Sequence, residues 1–592
     1  MRRVIIGFFA AIGVLVVALI AAGIALWLFA APGEKPLAEQ DILLLDFTKP
    51  LPEGAPQDGV QRLLLGEEIS FRDVLDGIER AEGDPRVKGI VARLGDGGLG
   101  TAQVQELRDA IARFRAAGKF AFGYADSFGE LGGGTRSYYL ATAFDQIWLQ
   151  PVGSVGLVGM RIEMPYFHGT LDMLGIQPRF DHREEFKTAA NTLTDTKMTP
   201  ADREQNEALL HSVYDQVVGG IAAGRQLDPA RIQALIDQGP FTPQEALDAH
   251  LIDHTGYRED AVAAGRTRAG ENAELVSLRR YLDIAGRPHQ SGPTIAVIYG
   301  TGLITSGDSS NNPLSGSEIL GADTLGRAFR AAAEDSSVRA ILFRIDSPGG
   351  SATASETIWR EVLRAKQAGK PIIVSMGNVA GSGGYYIAAD ATKIVAEPAT
   401  LTGSIGVVGG KVLIGGLSEK LGVTWDSLQL GSNAGIDSVV DDFTPAEHDR
   451  FERSLDYVYG VFKDRVAAGR KLSADAVETV AKGRVWSGAD AKTRGLVDEL
   501  GGFHKALALA KQAAGIAAGS DVTLQTFPRP SETPAAIIAR LLGRAPGEGE
   551  RATAARLAAA DRALAVIAPL LRRFELAAAP PGALTMPPLE LK

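Results

Sequence analysis

The chain has 592 residues, 45% hydrophobic and 22% charged, with a formal net charge of -10. That balance describes a folded protein of several domains and excludes a disordered chain. It carries no basic footprint for nucleic acid, and the lack of cysteine excludes disulfides, thiolate nucleophiles and thiolate-bound metals.

Val4 to Ala31 is apolar without a single charge. At about 1.5 Å per residue it spans a hydrocarbon layer of about 30 Å, which predicts a transmembrane helix within residues 1–34. Arg2 and Arg3 precede it, so the short N-terminus is expected in the cytoplasm and everything after Pro32 across the membrane. The apolar region of a cleaved signal peptide runs only about 7 to 15 residues, so an uncleaved anchor is expected.

Ile42 to Phe47 reads as a strand leading into the first folded unit. From there the chain repeats itself. Asp84 to Leu94 matches Asp335 to Ile345, and Ala117-Gly118-Lys119 matches Ala368-Gly369-Lys370. Tyr138 to Ala141 matches Tyr385 to Ala388, and Gly153-Ser154-Val155-Gly156 echoes Gly403-Ser404-Ile405-Gly406. Thr199-Pro200-Ala201 and Thr444-Pro445-Ala446 begin corresponding helices, and Leu251-Ile252-Asp253 matches Leu496-Val497-Asp498. Ordered matches at an offset of about 250 residues imply two copies of one domain. The expected division is residues 35–290 and 291–515, followed by an Ala/Pro-rich tail, 516–592, in which Ile537–Leu542 and Leu557–Leu571 read as short amphipathic helices.

Within the second copy, strands are expected at Ile295–Tyr299, Ala340–Ile345, Pro371–Met376 and Lys393–Ala396, alternating with helices at Thr324–Ala333, Ser355–Gln367 and Gly383–Ala389. This βαβα rhythm implies an α/β fold with parallel sheets covered by helices. Ligands in such folds bind beyond the carboxyl ends of the strands. Three glycine-rich segments are expected as loops there: Asp346–Ser351, Gly377–Gly384 and Thr402–Gly406.

Ser404 stands between glycines before an apolar run, so its hydroxyl is expected to be exposed at a sharp turn. Serine needs a base to become a nucleophile. His250 and His254 have helical metal-ligand spacing, but their counterparts in the second copy are Gly495 and Glu499, and a structural or surface role is expected. No metal or cofactor is expected. Lysine serves as a base when burial lowers its pKa from about 10.4 toward neutrality. Lys187, in Arg183-Glu-Glu-Phe-Lys-Thr-Ala-Ala190, has no equivalent in Leu430–Gly435 of the second copy. Ser404 on one copy and Lys187 on the other are therefore candidates for a pair formed across a pseudo-symmetric interface.

Asp346-Ser-Pro-Gly-Gly350, Ser382-Gly-Gly-Tyr-Tyr386, Thr402-Gly-Ser-Ile-Gly406 and Phe186-Lys-Thr-Ala189 together resemble the signal peptide peptidase A family of the long, duplicated type, over about residues 35 to 515. The resemblance implies tandem ClpP/crotonase-like domains behind an N-terminal transmembrane helix. It also implies a membrane-anchored serine endopeptidase in which Ser404 is the nucleophile and Lys187 the general base. Its substrates would be apolar signal peptides left after export. The catalytic region would face the periplasm from the bacterial inner membrane, in a homotetramer whose mouth is towards the membrane.

Gly349 and Gly350 are candidates to present backbone N–H groups to the developing oxyanion, with a simple turn as the alternative. Ser154 shares a half with Lys187 and is a rival nucleophile or a relic of duplication. Ser382 is a second rival, read as a helix N-cap, and Lys197 is a further possible base, read as solvated. Two other functions fit the fold: a crotonase-type acyl-CoA enzyme, disfavoured by the anchor and the lysine, and a catalytically silent membrane scaffold.

Overall fold

A computed structural model describes residues 36–54, 69–130, 132–270, 272–311, 318–529 and 583–586. The apolar run Val4–Ala31 and the tail segments expected as amphipathic helices lie outside the described residues. Among the described residues, no helix is long and apolar enough to cross a membrane.

Two largely parallel sheets dominate. The first has six strands in the order His254–Thr255, Gln146–Leu149, Phe120–Ala125, Val87–Leu94, Asp41–Asp46 and Glu274–Ser277, every neighbouring pair parallel. The main path of the second sheet runs Val485–Ser487, Leu401–Gly403, Ile372–Gly381, Val338–Ser347, Thr294–Thr301 and Thr523–Phe527, with Lys393–Ala396 and Glu499–Leu500 branching from Ile372–Gly381. Its central strands are apolar runs because helices cover both faces. Ile341, Leu342, Phe343 and Ile345, for example, are all fully buried.

Helices begin where the sequence supplies caps. Ser351 accepts from the Ala354 N–H to open the helix Ala352–Gln367, which buries Ile358, Trp359, Val362 and Ala365. The two helices Pro200–Arg225 and Pro445–Arg470 are built alike: each has a capping threonine before a proline and ends in a left-handed residue, Gln226 or Lys471. The matching Thr-Pro-Ala motifs of the sequence are thus matching helix starts.

The glycine-rich segments differ from expectation. Ile372–Gly381 continues well past Met376, because Val379, Ala380 and Gly381 pair in parallel with Leu401, Thr402 and Gly403. Gly349–Ser351 is also extended rather than a loop. Glycine reads as a turn signal, but where a neighbouring backbone comes close it serves a strand equally well.

A third sheet joins residues from distant parts of the chain, in the order Ser310–Asn311, Glu318–Gly321, Leu303–Thr305, Gly349–Ser351, Ala583–Thr585, Val408–Leu413 and Gln177–His182. In it Gln177–His182 pairs antiparallel with Val408–Leu413, His182 opposite Val408, tying the segment before Lys187 to the segment after Ser404. A buried ionic cluster also joins the second large sheet to the first half of the chain, through Glu53 and through Glu106 of the helix Thr101–Ala116. Arg344, 1% exposed, contacts both carboxylate oxygens of Glu53 at 3.0 Å, Glu106 at 2.9 Å and Ser375 Oγ at 2.9 Å. A guanidinium suits this position because its fork satisfies several acceptors at once.

Candidate active site

Gly381 and Gly403 are register partners on adjacent parallel strands, and each is followed by a serine. Ser382 and Ser404 therefore emerge side by side at the carboxyl end of the sheet. Both adopt left-handed backbone, with φ of 53° and 52°. This region is uncommon for residues other than glycine, and each position is held by backbone hydrogen bonds. The Ser382 N–H donates to Gly403 O at 2.8 Å, and the Ser404 N–H to Arg484 O at 2.8 Å.

Lys187 arrives from the other half of the chain. The Arg183 N–H donates to Val407 O at 3.0 Å and the Phe186 N–H to Lys482 O at 3.1 Å, so the lysine's own segment is docked by its backbone. Thr188 adds a bond from its hydroxyl to Asp202 Oδ1 at 2.9 Å. Glycine makes room for the side chain: a Cβ built at Gly483 lies 2.5 Å from Lys187 Cβ, and one at Gly406 lies 3.2 Å from Cδ.

The Lys187 amine ends 2.7 Å from Ser382 Oγ, 3.0 Å from Ser404 Oγ and 2.9 Å from Ser404 O. Lys187, Ser382 and Ser404 are all 0% exposed. Burial pushes the amine's pKa well below the ordinary lysine value, because the charged form is desolvated. Ser404 O can only accept, so it takes an N–H from the amine, and the two hydroxyls lie within reach as further acceptors.

The structure thus brings Lys187 and Ser404 together, and it adds Ser382, the nearer hydroxyl. The N-cap role expected for Ser382 is not what its side chain does: it makes no cap hydrogen bond to the helix Gly383–Ala388. With its backbone left-handed, the hydroxyl meets the lysine instead. Ser154 lies elsewhere, its hydroxyl donating to Gly129 O at 3.0 Å and lying 3.1 Å from Ser127 Oγ. Lys197 is exposed, and His254 stacks on Trp148 with ring centroids 4.2 Å apart.

Gly349 and Gly350 pack against the turn after Ser382. A Cβ built at Gly383 lies 3.2 Å from both Gly349 Cα and Gly350 N. The Gly349 N–H donates to Ser347 Oγ at 3.2 Å. The strand Gly349–Ser351 stands on one side of Ala583–Thr585 in the sheet, and Val408 on the other. The backbone of Ala583–Thr585 runs antiparallel between them, and the Met586 N–H donates to Pro348 O at 2.8 Å. Strand addition of this kind is how extended peptides are commonly held. A buried amine with a lowered pKa beside two seryl hydroxyls forms a setting in which acyl transfer to serine is chemically possible.

Comparison with known proteins identifies the group. The model of peptidase family S49 matches residues 127–272 and 364–517. The chain belongs to peptidase family S49. It is 32% identical over 477 residues to the chloroplastic serine protease SPPA of Arabidopsis thaliana, covering 78% of this chain and 68% of that protein. It is 33% identical over 476 residues to Protease 4 of Salmonella typhi, covering 78% and 74% of the two chains. To Protease 4 of Haemophilus influenzae it is 32% identical over 460 residues, covering 75% and 73%. This S49 member is a serine protease, and its substrates are peptides. Lys187 lies in the first stretch matched to the family, Ser382 and Ser404 in the second, and Gly349 and Gly350 in neither.

Proposed function

We propose that this S49 protease cleaves peptides with Lys187 as general base and a seryl hydroxyl of the second half as nucleophile. The observation that carries the proposal is the buried Lys187 amine, 2.7 Å from Ser382 Oγ and 3.0 Å from Ser404 Oγ. Ser382 is the better placed of the two. It has the shorter contact, lies beside the glycine strand, and opens a helix directly after a strand, as strained nucleophiles often do. Ser404 then holds the amine through its hydroxyl and carbonyl. Attack by Ser404 itself, the first expectation from sequence, is the second reading.

In this mechanism Ser382 Oγ attacks the peptide carbonyl while Lys187 takes the hydroxyl proton and passes it to the leaving amine. Water then hydrolyses the ester by the same route. Gly349 and Gly350 are proposed to stabilise the oxyanion, a contribution of about 3 to 4 kcal/mol per donor. The Gly349 N–H exchanges its Ser347 partner for the oxyanion in that step.

The finer physiology belongs to the same proposal. Residues 35–290 and 291–515 act as two ClpP/crotonase-like domains behind a membrane-spanning anchor, with the catalytic region on the periplasmic face of a bacterial inner membrane. Apolar signal peptides are the substrates, and the charge-free run Val4–Ala31 supports the location. A contact surface, consistent with the proposed homotetramer, is supported by the exposed Leu421, Trp425, Leu428 and Leu430, grouped within one short stretch.

Hydrolysis of a leucine-rich peptide ester by the full chain in detergent tests the reading. Loss of activity in Lys187→Ala and Ser382→Ala supports it. Full activity in Lys187→Ala contradicts it, and full activity in Ser382→Ala with none in Ser404→Ala selects the second reading.

A further inference from the structure

The strand Ile372–Gly381 changes neighbours part-way along. Ile373, Val374 and Ser375 pair with Lys393, Ile394 and Val395, whereas Val379, Ala380 and Gly381 pair with Leu401, Thr402 and Gly403. Its register with Val338–Ser347 shifts at the same place: Met376 is opposite Ile345, but Ala380 is opposite Ser347. The extra residues are taken up in a bulge, in which Gly377, Asn378 and Val379 face Asp346 alone. Continued past Ser347, the shifted register sets Ser382 level with Gly349, and a Cβ built at Gly383 lies 3.2 Å from Gly349 Cα. Without the bulge Ser382 would stand two residues further on, about 6 to 7 Å along the strand.

Side chains hold the bulge in place. The Val379 N–H donates to Asp346 Oδ1 at 2.9 Å, and Thr400 Oγ1 donates to Gly377 O at 2.8 Å. Asn378 Oδ1 accepts the Gln103 N–H at 3.2 Å, at the start of the helix Thr101–Ala116 in the first half of the chain. Glycine lets the Asp346 carboxyl come close: a Cβ built at Gly377 lies 3.0 Å from its Cγ and 3.1 Å from its Oδ2. Desolvation and the neighbouring Glu53 carboxylate push the Asp346 pKa above the ordinary carboxylate range. Its bond to Val379 therefore depends on an acceptor oxygen more than on a full charge.

We propose that Asp346 is a positioning residue for the reaction: by fixing the bulge at Val379 it sets Ser382 beside the Lys187 amine. The proposal rests on the reading of Ser382 as nucleophile. Asp346 binds backbone three residues before Ser382 and acts through it, not on the reacting atoms. Asparagine keeps an oxygen for the Val379 N–H, whereas alanine leaves that N–H without its partner. A serine displaced by about 1 Å loses about 100-fold in rate.

The test compares the full chain with Asp346→Ala, Asp346→Asn and Thr400→Val on a leucine-rich peptide ester in detergent, with kcat taken per folded molecule from thermal melts. Asp346→Ala is expected to lower kcat about 100-fold while KM stays within about two-fold of wild type. Asp346→Asn should stay within about three-fold of wild-type kcat, and Thr400→Val should lose about 10-fold. The rate of fluorophosphonate labelling at Ser382 should fall in the same order. Wild-type kcat in Asp346→Ala overturns the proposal, as does an Asp346→Asn as slow as Asp346→Ala. If Asp346→Ala does not fold, Thr400→Val decides: a loss confined to kcat supports the proposal, and unchanged kcat overturns it. Ser382→Ala, run alongside, separates the two failures. Full activity in Ser382→Ala overturns the reading of the nucleophile, whereas loss there with wild-type kcat in Asp346→Ala overturns the positioning proposal alone.

Discussion

Lys187 and Ser382 are 195 residues apart in the chain, yet the lysine nitrogen stands 2.7 Å from the serine oxygen. The contact depends on two backbone ladders: the pairing of Gln177–His182 with Val408–Leu413, and the register of Gly381 with Gly403. Each half of the duplicated chain alone holds only part of the candidate site.

The pH profile should reveal the buried amine. Lys187 acts as a base only when neutral, and burial lowers its pKa. Activity is therefore expected to rise with pH through that lowered pKa, reaching its plateau well below the ordinary lysine value of about 10.4. Ser404→Ala removes one partner of the amine and should reduce kcat about 10- to 100-fold while moving this limb. Ser382→Ala should reduce kcat by more than about 10³-fold. Profiles of kcat/KM against pH for the three proteins check both statements.

Lys187→Met should be inactive yet more stable. The native lysine's pKa is depressed, so the unfolded chain binds a proton that the folded chain refuses, and wild-type stability falls as pH drops below about 10.4. Methionine has no such penalty. The variant is expected to gain about 1 to 3 kcal/mol at neutral pH. The gain should shrink as pH rises toward 10, as denaturant melts at pH 7 and pH 10 would show.

Gly483→Ala tests whether the lysine's placement matters. The added methyl meets Lys187 Cβ at 2.5 Å, and Gly483 has a φ of 76°, which disfavours a side chain. Displacing the amine by about 1 Å should lower kcat about 100-fold. Strain should cost about 1 to 3 kcal/mol. Kinetics alongside a thermal melt separate the two effects, since a purely structural change would leave kcat per folded molecule intact.

Arg344→Met should loosen the join between the second large sheet and the first half of the chain. It leaves the Glu53 and Glu106 carboxylates buried without their cation, a loss of about 3 to 5 kcal/mol. Replacing all three residues by apolar ones of similar size should recover most of it. Equilibrium unfolding of the single and triple variants decides the matter.

Much of this was legible in the sequence because the duplication let one copy be read against the other. Lys187 stood out as a lysine absent from the second copy, and Ser404 as a hydroxyl between glycines. Ser382 was visible in Ser382-Gly-Gly-Tyr-Tyr386 but resembled a cap, since a serine before a helix ordinarily caps it. Its left-handed backbone depends on Gly403 across the sheet, a long-range contact that leaves no local pattern. The readable signal was the recurrence of Gly-Ser at the ends of two strands, Gly381-Ser382 and Gly403-Ser404. The strand Thr523–Phe527 and the short ladder at Ala583–Thr585 were missed because a few residues carry too little periodicity, and only their partners make them strands.

The most direct measurement is to label the full chain with a fluorophosphonate, which forms a covalent adduct with an activated serine, and to locate the adduct by peptide mapping. The account predicts labelling at Ser382, abolished by Lys187→Ala and retained, more slowly, in Ser404→Ala. An adduct at Ser404 or Ser154, or undiminished labelling of Ser382 in Lys187→Ala, would contradict it.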